Sequence, residues 1–454
     1  MSTDAPAPVS LSSIMDGNSF RIADLDRLAP AEQQLVMRRQ QSLGPSYRLF
    51  YRTPVHTASG SGAYLFDPEG NRYLDAYNNV PSVGHANPVV VEAVAAQMAK
   101  LNTHTRYLQD GIVEYSERLL ATLPEHIGSI MYTNSGSESN DLAIRIARLW
   151  TGGTGVVVTA EAYHGTTELL SRVSPAISGG FPDDPAVRVI PAPDTYRVPT
   201  DDIGAWFADR VRDAFDDLLA NGIQPAAFLA DSIFSSDGIY PDPRGFLAPA
   251  IEVVHDYGAV FISDEVQPGF ARTGEAFWGF QRHGVAADLV SMGKPMGNGI
   301  PVAALAGRPE ILARFGEEVP YFNTFGGNSV SIAAATAVLE YIQSNDVIGS
   351  VRRTGELIRA GLRDLAVGRP AIGDVRGVGL YNGVDIVSDP ETKQPDSGTA
   401  LAIVNALRDR RVLISVAGPG NNVLKIRPPL VFGGPEAALL LETLDEVLDV
   451  VAPR

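Results

Sequence analysis

The sequence contains no cysteine among its 454 residues. That absence excludes a disulfide framework, thiolate metal sites, iron–sulfur clusters and a cysteine nucleophile. Long apolar runs are missing too. The longest, such as Ile300 to Gly307, fall far short of the roughly 18 residues that suggest a membrane span. Basic charge is scarce: 36 Lys and Arg stand against 53 Asp and Glu, a formal net charge of −17. No basic stripe is left for a polyanion, so nucleic-acid binding is disfavoured and no membrane contact is expected. The first twenty residues place Asp4 and Asp16 in a polar run with neither a basic start nor an apolar core, which argues against a secretory signal. A soluble cytoplasmic protein is the expectation. Apolar residues at 45% and charged residues at 20% match ordinary globular usage. At roughly 150 residues per domain, the length allows two or three domains.

Three regions emerge along the chain. The first 45 residues read as an arm, with a helix around Ala31 to Gln41. Two short strands around a Pro/Gly turn are expected between Leu65 and Asp75. From Val89 on, helical stretches (Val89 to Leu101, Ile112 to Leu123, Glu138 to Trp150) alternate with short, nearly all-apolar runs. Those runs are Ser129 to Thr133, Gly155 to Thr159, Val187 to Ile190, Ala227 to Ala230, Ala259 to Ser263, Leu289 to Ser291 and Val302 to Ala306. The pattern predicts an α/β fold with a mostly parallel sheet covered on both faces. After Asn345 come a helix (Gly349 to Leu365), strands (Asp374 to Asp385), a helix (Gly398 to Arg408), a strand (Val423 to Arg427) and a helix (Glu436 to Val450). The expected division is an arm with part of a small domain (1–75), a large domain (76–344) and an α+β C-terminal domain (345–454).

Three constellations could carry chemistry. The first is Ser129-Ile-Met-Tyr-Thr-Asn-Ser-Gly-Ser-Glu-Ser-Asn140. Ser135 and Glu138 have capping-box spacing, so Ser135 is expected at a helix N-cap. Free N–H groups, a positive dipole end and small hydroxyl donors there make an anion site; an ordinary capped helix is the alternative. The second is Ala259-Val-Phe-Ile-Ser-Asp264-Glu265-Val266-Gln267, which puts Asp264 at the carboxyl edge of the sheet, where ligands bind. The third is Asp288-Leu-Val-Ser-Met-Gly-Lys294-Pro295. It is no P-loop, because Pro295 stands where a Ser or Thr would hold magnesium. A lysine at the end of a buried strand is costly unless it is paired or used as an amine. No G-x-G-x-x-G opens a helix after a strand, so a dinucleotide site has little support, and no metal site is expected.

An anion site, a strand-end Asp and a strand-end Lys match one cofactor chemically. Pyridoxal 5'-phosphate needs a lysine amine for its Schiff base, a carboxylate to keep the pyridine nitrogen protonated, and donors for its phosphate. Asp264 and Lys294 are thirty positions apart, room for a strand, a helix and the next strand. Tyr163, in Tyr163-His164-Gly165, offers a ring to stack on the pyridine; core or cap roles for Tyr163 and His164 are the alternative.

From Tyr64 to the C-terminus the chain resembles the class III aminotransferases, fold-type-I pyridoxal phosphate enzymes. The resemblance centres on Phe261-Ile-Ser-Asp-Glu-Val-Gln-Pro-Gly-Phe-Ala-Arg-Thr-Gly274 and Asp288-Leu-Val-Ser-Met-Gly-Lys294. It implies Lys294 as the cofactor-binding lysine, Asp264 on the pyridine nitrogen, and Val266 on the ring face opposite Tyr163. Gln267 would approach the phenolic oxygen, and Ser135, Gly136 and Ser137 the phosphate. His164 and Asp231 are implied to line the cofactor site, and Asn79 and Arg427 the substrate site. In Tyr321-Phe-Asn-Thr324-Phe-Gly-Gly-Asn328, Thr324 matches a threonine that reaches the phosphate of the neighbouring subunit. A homodimer with shared sites is thus implied, with a tetramer as the larger alternative.

Further stretches are similar to one branch, the phospho-lyases acting on phosphoethanolamine and phosphohydroxylysine. They include Asn78-Asn79-Val80, Val83-Gly84-His85, Arg106-Tyr107-Leu108, Ala192-Pro-Asp-Thr-Tyr-Arg197 and Asn422-Val-Leu-Lys-Ile-Arg-Pro-Pro429. Three positions depart from that branch: Ile300 stands for a His, Asp231 for a Glu, and Arg427 for the second Lys of a Lys-x-Lys-Pro-Pro run. The resemblance implies removal of a Cα proton by Lys294 and loss of phosphate from Cβ, giving aldehyde, ammonia and phosphate. The alternative is an aminotransferase that moves an amino group from a primary amine to a keto acid. A purely structural protein on this scaffold would be expected to lose Lys294 or Asp264, and both are present. Lys425 and Arg427 are two apart on an expected strand and so share a face. For Lys425 a solvated strand face is the simpler expectation.

Overall fold

The computed structural model describes residues 17–177 and 184–454. The start of the expected arm, residues 1–16, lies outside them; its helix spans Pro30–Leu43.

A seven-stranded sheet organises the large domain. Its strands are β1 (Ser129–Thr133), β2 (Gly155–Thr159), β3 (Val187–Ile190), β4 (Pro225–Ala230), β5 (Val260–Asp264), β6 (Leu289–Met292) and β7 (Ala303–Gly307), in the spatial order β1-β7-β6-β5-β4-β2-β3. The pairs from β6 through β3 are parallel. Only β7 runs against its neighbours β1 and β6. The short link from β6 to β7, through the turn Lys294–Gly297, cannot make a parallel crossover, which takes a dozen or more residues. The strand therefore returns antiparallel.

Why these runs form strands is visible in their burial. Val156, Val157 and Val158 of β2 are all fully buried, as are Ala227, Phe228 and Leu229 of β4. The pleat then sorts them by face. Val156, Val158, Leu229 and Ile262 pack with Leu142, Ala143 and Ile146 of helix α1 (Gly136–Thr151). Val157, Phe228 and Phe261 pack on the other side with Phe207, Val211 and Phe215 of helix α2 (Ile203–Ala220). The sequence reading did not single out α2, although its apolar residues recur at helical spacing and Asp202 caps its start by accepting from the Ala205 amide.

The C-terminal part holds an antiparallel sheet of β8 (Ile372–Val378), β9 (Tyr381–Asp389), β10 (Ser415–Ala417) and β11 (Val423–Ile426), in the order β8-β9-β11-β10. A further sheet joins Ser59–Ser61, Tyr64–Phe66 and Arg72–Asp75 to Val412–Leu413, tying an N-terminal segment to this part. Among the described residues no helix is long and apolar enough to cross a membrane.

Candidate active site

The carboxyl ends of the parallel strands converge on one pocket of about 320 Å³. β1 delivers Ser135, Gly136 and Ser137 to it; β2 delivers Tyr163 and His164; β4, Asp231; β5, Asp264, Val266 and Gln267; β6, Lys294. Eleven residues expected in the cofactor site from the sequence include these ten, which the fold brings together; Thr324 is the exception. It is exposed and lies outside the pocket of its own chain.

The anion end sits at the start of α1. Ser135 is the N-cap, accepting from the Glu138 amide at 3.2 Å. The reciprocal bond of a capping box is shifted by one residue: the Glu138 carboxylate accepts from the amide and side chain of Asn134 at 2.6 and 3.1 Å. First-turn amides of a helix have no intrahelical acceptor, which leaves Gly136 and Ser137 as donors beside the dipole end. Glycine keeps this end open. A Cβ at Gly136 would stand 2.8 Å from Val266 Cγ2, and one at Gly165 would stand 2.6 Å from the Ser137 hydroxyl.

At the other end, Asp264 is buried and its carboxylate is held by three donors. Asn140 Nδ2 donates to Oδ2 at 2.9 Å and His164 Nδ1 to the same oxygen at 2.7 Å, while the Val266 amide donates to Oδ1 at 3.0 Å. His164 thus acts through Asp264, whereas the half-buried Tyr163 offers its ring to the pocket. Lys294 Nζ lies 5.8 Å from the centroid of that ring. Burial and the nearby Arg427 push the Lys294 amine down to about 8, against the pull of Asp264 and Asp231. Such an amine is available as a nucleophile and base near neutral pH. Asp231 accepts from the Ile233 and Ser235 amides at 2.9 and 2.8 Å, and burial raises its pKa.

Behind Gln267 lies a second layer. Arg427 follows β11 and donates to Gln267 and, at 2.9 Å, to Asn79 Oδ1; its guanidinium carbon lies 4.4 Å from the Tyr77 ring centroid. Gln267 in turn donates to Ser235 at 2.7 Å and accepts from the Tyr381 hydroxyl at 3.0 Å. The solvated face expected for Lys425 is not found. Lys425 is 7% exposed, because β11 is flanked by β9 and β10 and its side chain lies over the Tyr381 ring.

Sequence reasoning assigned no role to Asn140, Ser235, Tyr77 or Tyr381. Asn140 had a usable signal: a poor helix former early in an otherwise apolar-faced helix. Glu265, next to the site residue, is fully buried and turned away from the pocket. It accepts from the amides of Gly279 and Phe280 and from Ser232 and Ser263, and burial pushes it up to about 7.

These residues fit pyridoxal phosphate: an amine of lowered basicity, a buried carboxylate opposite an aromatic ring, and a glycine-lined helix start. The fold and the site together define a fold-type-I pyridoxal phosphate enzyme. The class-III aminotransferase model matches residues 50–448. The chain belongs to that family, whose members depend on pyridoxal phosphate. It is 38% identical over 434 residues to "Alanine--glyoxylate aminotransferase 2-like" of Drosophila melanogaster, covering 93% of this chain and 88% of the relative. It is 35% identical over 441 residues to "Ethanolamine-phosphate phospho-lyase homolog 1" of Caenorhabditis elegans, covering 93% and 94%. Among solved structures, a phospholyase from Arthrobacter in complex with phosphoethanolamine superposes with a TM-score of 0.89 at 42% identity, covering 92% of this chain and 99% of that one.

Proposed function

We propose that the protein is a phospho-lyase that eliminates phosphate from O-phosphoethanolamine or a similar phosphorylated amino alcohol. For phosphoethanolamine, addition of water gives acetaldehyde, ammonia and phosphate. One observation carries this reading beyond the family: a concentration of buried cations behind the pocket. Arg427, Lys425 and Arg272 are 9%, 7% and 2% exposed. None of them is in a salt bridge among the described residues. Arg427 donates to the neutral oxygens of Asn79 and Gln267 and lies over the Tyr77 ring, and Arg272 donates to the carbonyls of Leu380 and Pro428. Burial and Arg427 push Arg272 down to about 9. Unpaired buried charge is costly, and an entering phosphate relieves that cost. The phosphoethanolamine bound by the Arthrobacter relative supports the same substrate class.

When bound, pyridoxal phosphate supplies the electron sink for the pair released at the substrate Cα. In this reading Gly136 and Ser137 would hold the cofactor phosphate, and Tyr163 and Val266 would flank its ring. Gln267 would serve its phenolic oxygen, and Asp264, oriented by His164 and Asn140, would keep its pyridine nitrogen protonated. Lys294, as a free amine of lowered basicity, would take the Cα proton. Arg427 and Asn79 receive the phosphate group, which departs with the Cβ–O electron pair. Asp231 limits the positive charge around Lys294.

A homodimer with shared sites forms part of the proposal. Tyr107, Leu108 and Phe325 are 64%, 98% and 68% exposed. Arg106 stacks on Phe322 at 4.0 Å, so the two segments form one surface beside Thr324. An apolar patch of this kind marks an interaction site, and a second copy would bring Thr324 to the neighbouring cofactor phosphate. A cytoplasmic setting completes the reading. The second reading, an aminotransferase, is favoured by the apolar Ile300 in the pocket wall and by the Drosophila relative. Release of phosphate from phosphoethanolamine without any keto acid separates the two.

A further inference from the structure

Among the buried cations behind the pocket, Lys425 has no part in the individual steps described above. In β11 it lies opposite Gly383 of β9 on one side and Ser415 of β10 on the other. Small neighbours on both flanks leave its long side chain free to extend over the sheet. It does so toward the site: Nζ lies 5.6 Å from the centroid of the Tyr381 ring. The Tyr381 hydroxyl donates to Gln267 at 3.0 Å, and Gln267 also accepts from Arg427. Lys425, Tyr381, Gln267 and Arg427 are therefore contiguous, and alternation along the strand puts Lys425 and Arg427 on one face. No carboxylate forms an ion pair with Lys425 among the described residues.

We propose that Lys425 is the second cation of the substrate-anion recess, setting a preference for doubly over singly charged anions. The inference rests on the phospho-lyase reading and deepens it. A phosphate monoester carries about −1.5 to −2 charge near pH 7. A single guanidinium neutralises only part of that, whereas Arg427 with Lys425 matches a dianion. Burial and the Arg427 charge hold the Lys425 amine well below its ordinary pKa, opposed by Asp231 and Asp237. An entering dianion reverses that balance and stabilises the charged amine. A carboxylate or other monoanion, already matched by Arg427, draws less from the second cation.

The test uses the holoenzyme and measures wild-type phosphate release from phosphoethanolamine first. If none occurs, the phospho-lyase reading fails whatever Lys425 does. If it occurs, Lys425→Met and Lys425→Gln should raise KM for phosphoethanolamine and Ki for inorganic phosphate together by about tenfold or more, with kcat changed much less. Lys425→Arg should restore most of both. A folded neutral variant whose KM and Ki stay within about twofold of wild type overturns the role of Lys425 alone. The wild-type protein gives an arm that does not depend on folding of a variant. Sulfate, a tetrahedral dianion, should compete with substrate about tenfold better than methanesulfonate, a tetrahedral monoanion of similar size. Equal competition overturns the proposal.

Discussion

His164 Nδ1 and Asp264 Oδ2 meet at 2.7 Å, and both side chains are buried. With Asn140 on the same oxygen, the imidazole fixes the carboxylate plane and leaves part of Oδ1 for a ligand. His164→Leu should therefore weaken cofactor binding and turnover by about tenfold to hundredfold, since a hydrogen bond to a charged group is worth roughly 1.5–3 kcal/mol. Cofactor titration of the apoprotein checks this. Unchanged affinity would mean that Asp264 needs no orienting partner.

Lys294 gives a pH prediction. Its amine is held down to about 8, so the reactive, uncharged form accumulates as pH rises through about 8 rather than through the ordinary lysine range. The rate at which apoprotein takes up pyridoxal phosphate should rise with pH and level off above that point. Lys294→Ala should still bind the cofactor but lack the visible absorbance of a lysine-bound form. A rate that keeps climbing through pH 10, or a retained visible band that borohydride fixes to another lysine, would contradict the assignment.

Much of this site was legible because strand ends are legible. The runs ending at Thr133, Thr159 and Met292 are apolar on both faces, and the chemistry-bearing residues follow them directly. What escaped was long-range. Lys425 looks solvated in a sequence window, and only the pairing of β11 with β9 and β10 shows it to be covered. The Arg427–Gln267–Tyr381 contacts join segments far apart in the chain, which no local period encodes. A mostly parallel sheet leaves room for the reversed β7, whose apolar run carries no mark of its direction.

Thr324 tests the shared site. Thr324→Ala should weaken cofactor retention by about tenfold to hundredfold without lowering the melting temperature, the loss expected for one hydrogen bond to an anion. Dialysis followed by activity recovery measures it. A fully active monomer in analytical ultracentrifugation would contradict the role across subunits.

Arg427 tests the anion recess. Arg427→Ala leaves Asn79 Oδ1 without its donor, leaves Gln267 with Tyr381 alone on its oxygen, and removes a charge meant for phosphate, so turnover of phosphoethanolamine should fall about hundredfold or more. Arg427→Lys, which keeps the charge, should retain most of it. Steady-state kinetics on both variants decide the point. Equal losses would place the value of Arg427 in its fork geometry rather than in its charge.

The most direct measurement is stoichiometric. Purified holoenzyme is mixed with excess phosphoethanolamine and no keto acid, and aldehyde and inorganic phosphate are followed together. Elimination returns the cofactor to its starting form on every turn. The account therefore predicts continuous release of both products in equal amounts over many turnovers. If no phosphate appears, and the enzyme instead moves amino groups from a simple amine to pyruvate over many turnovers, the protein is an aminotransferase and the phospho-lyase reading is wrong.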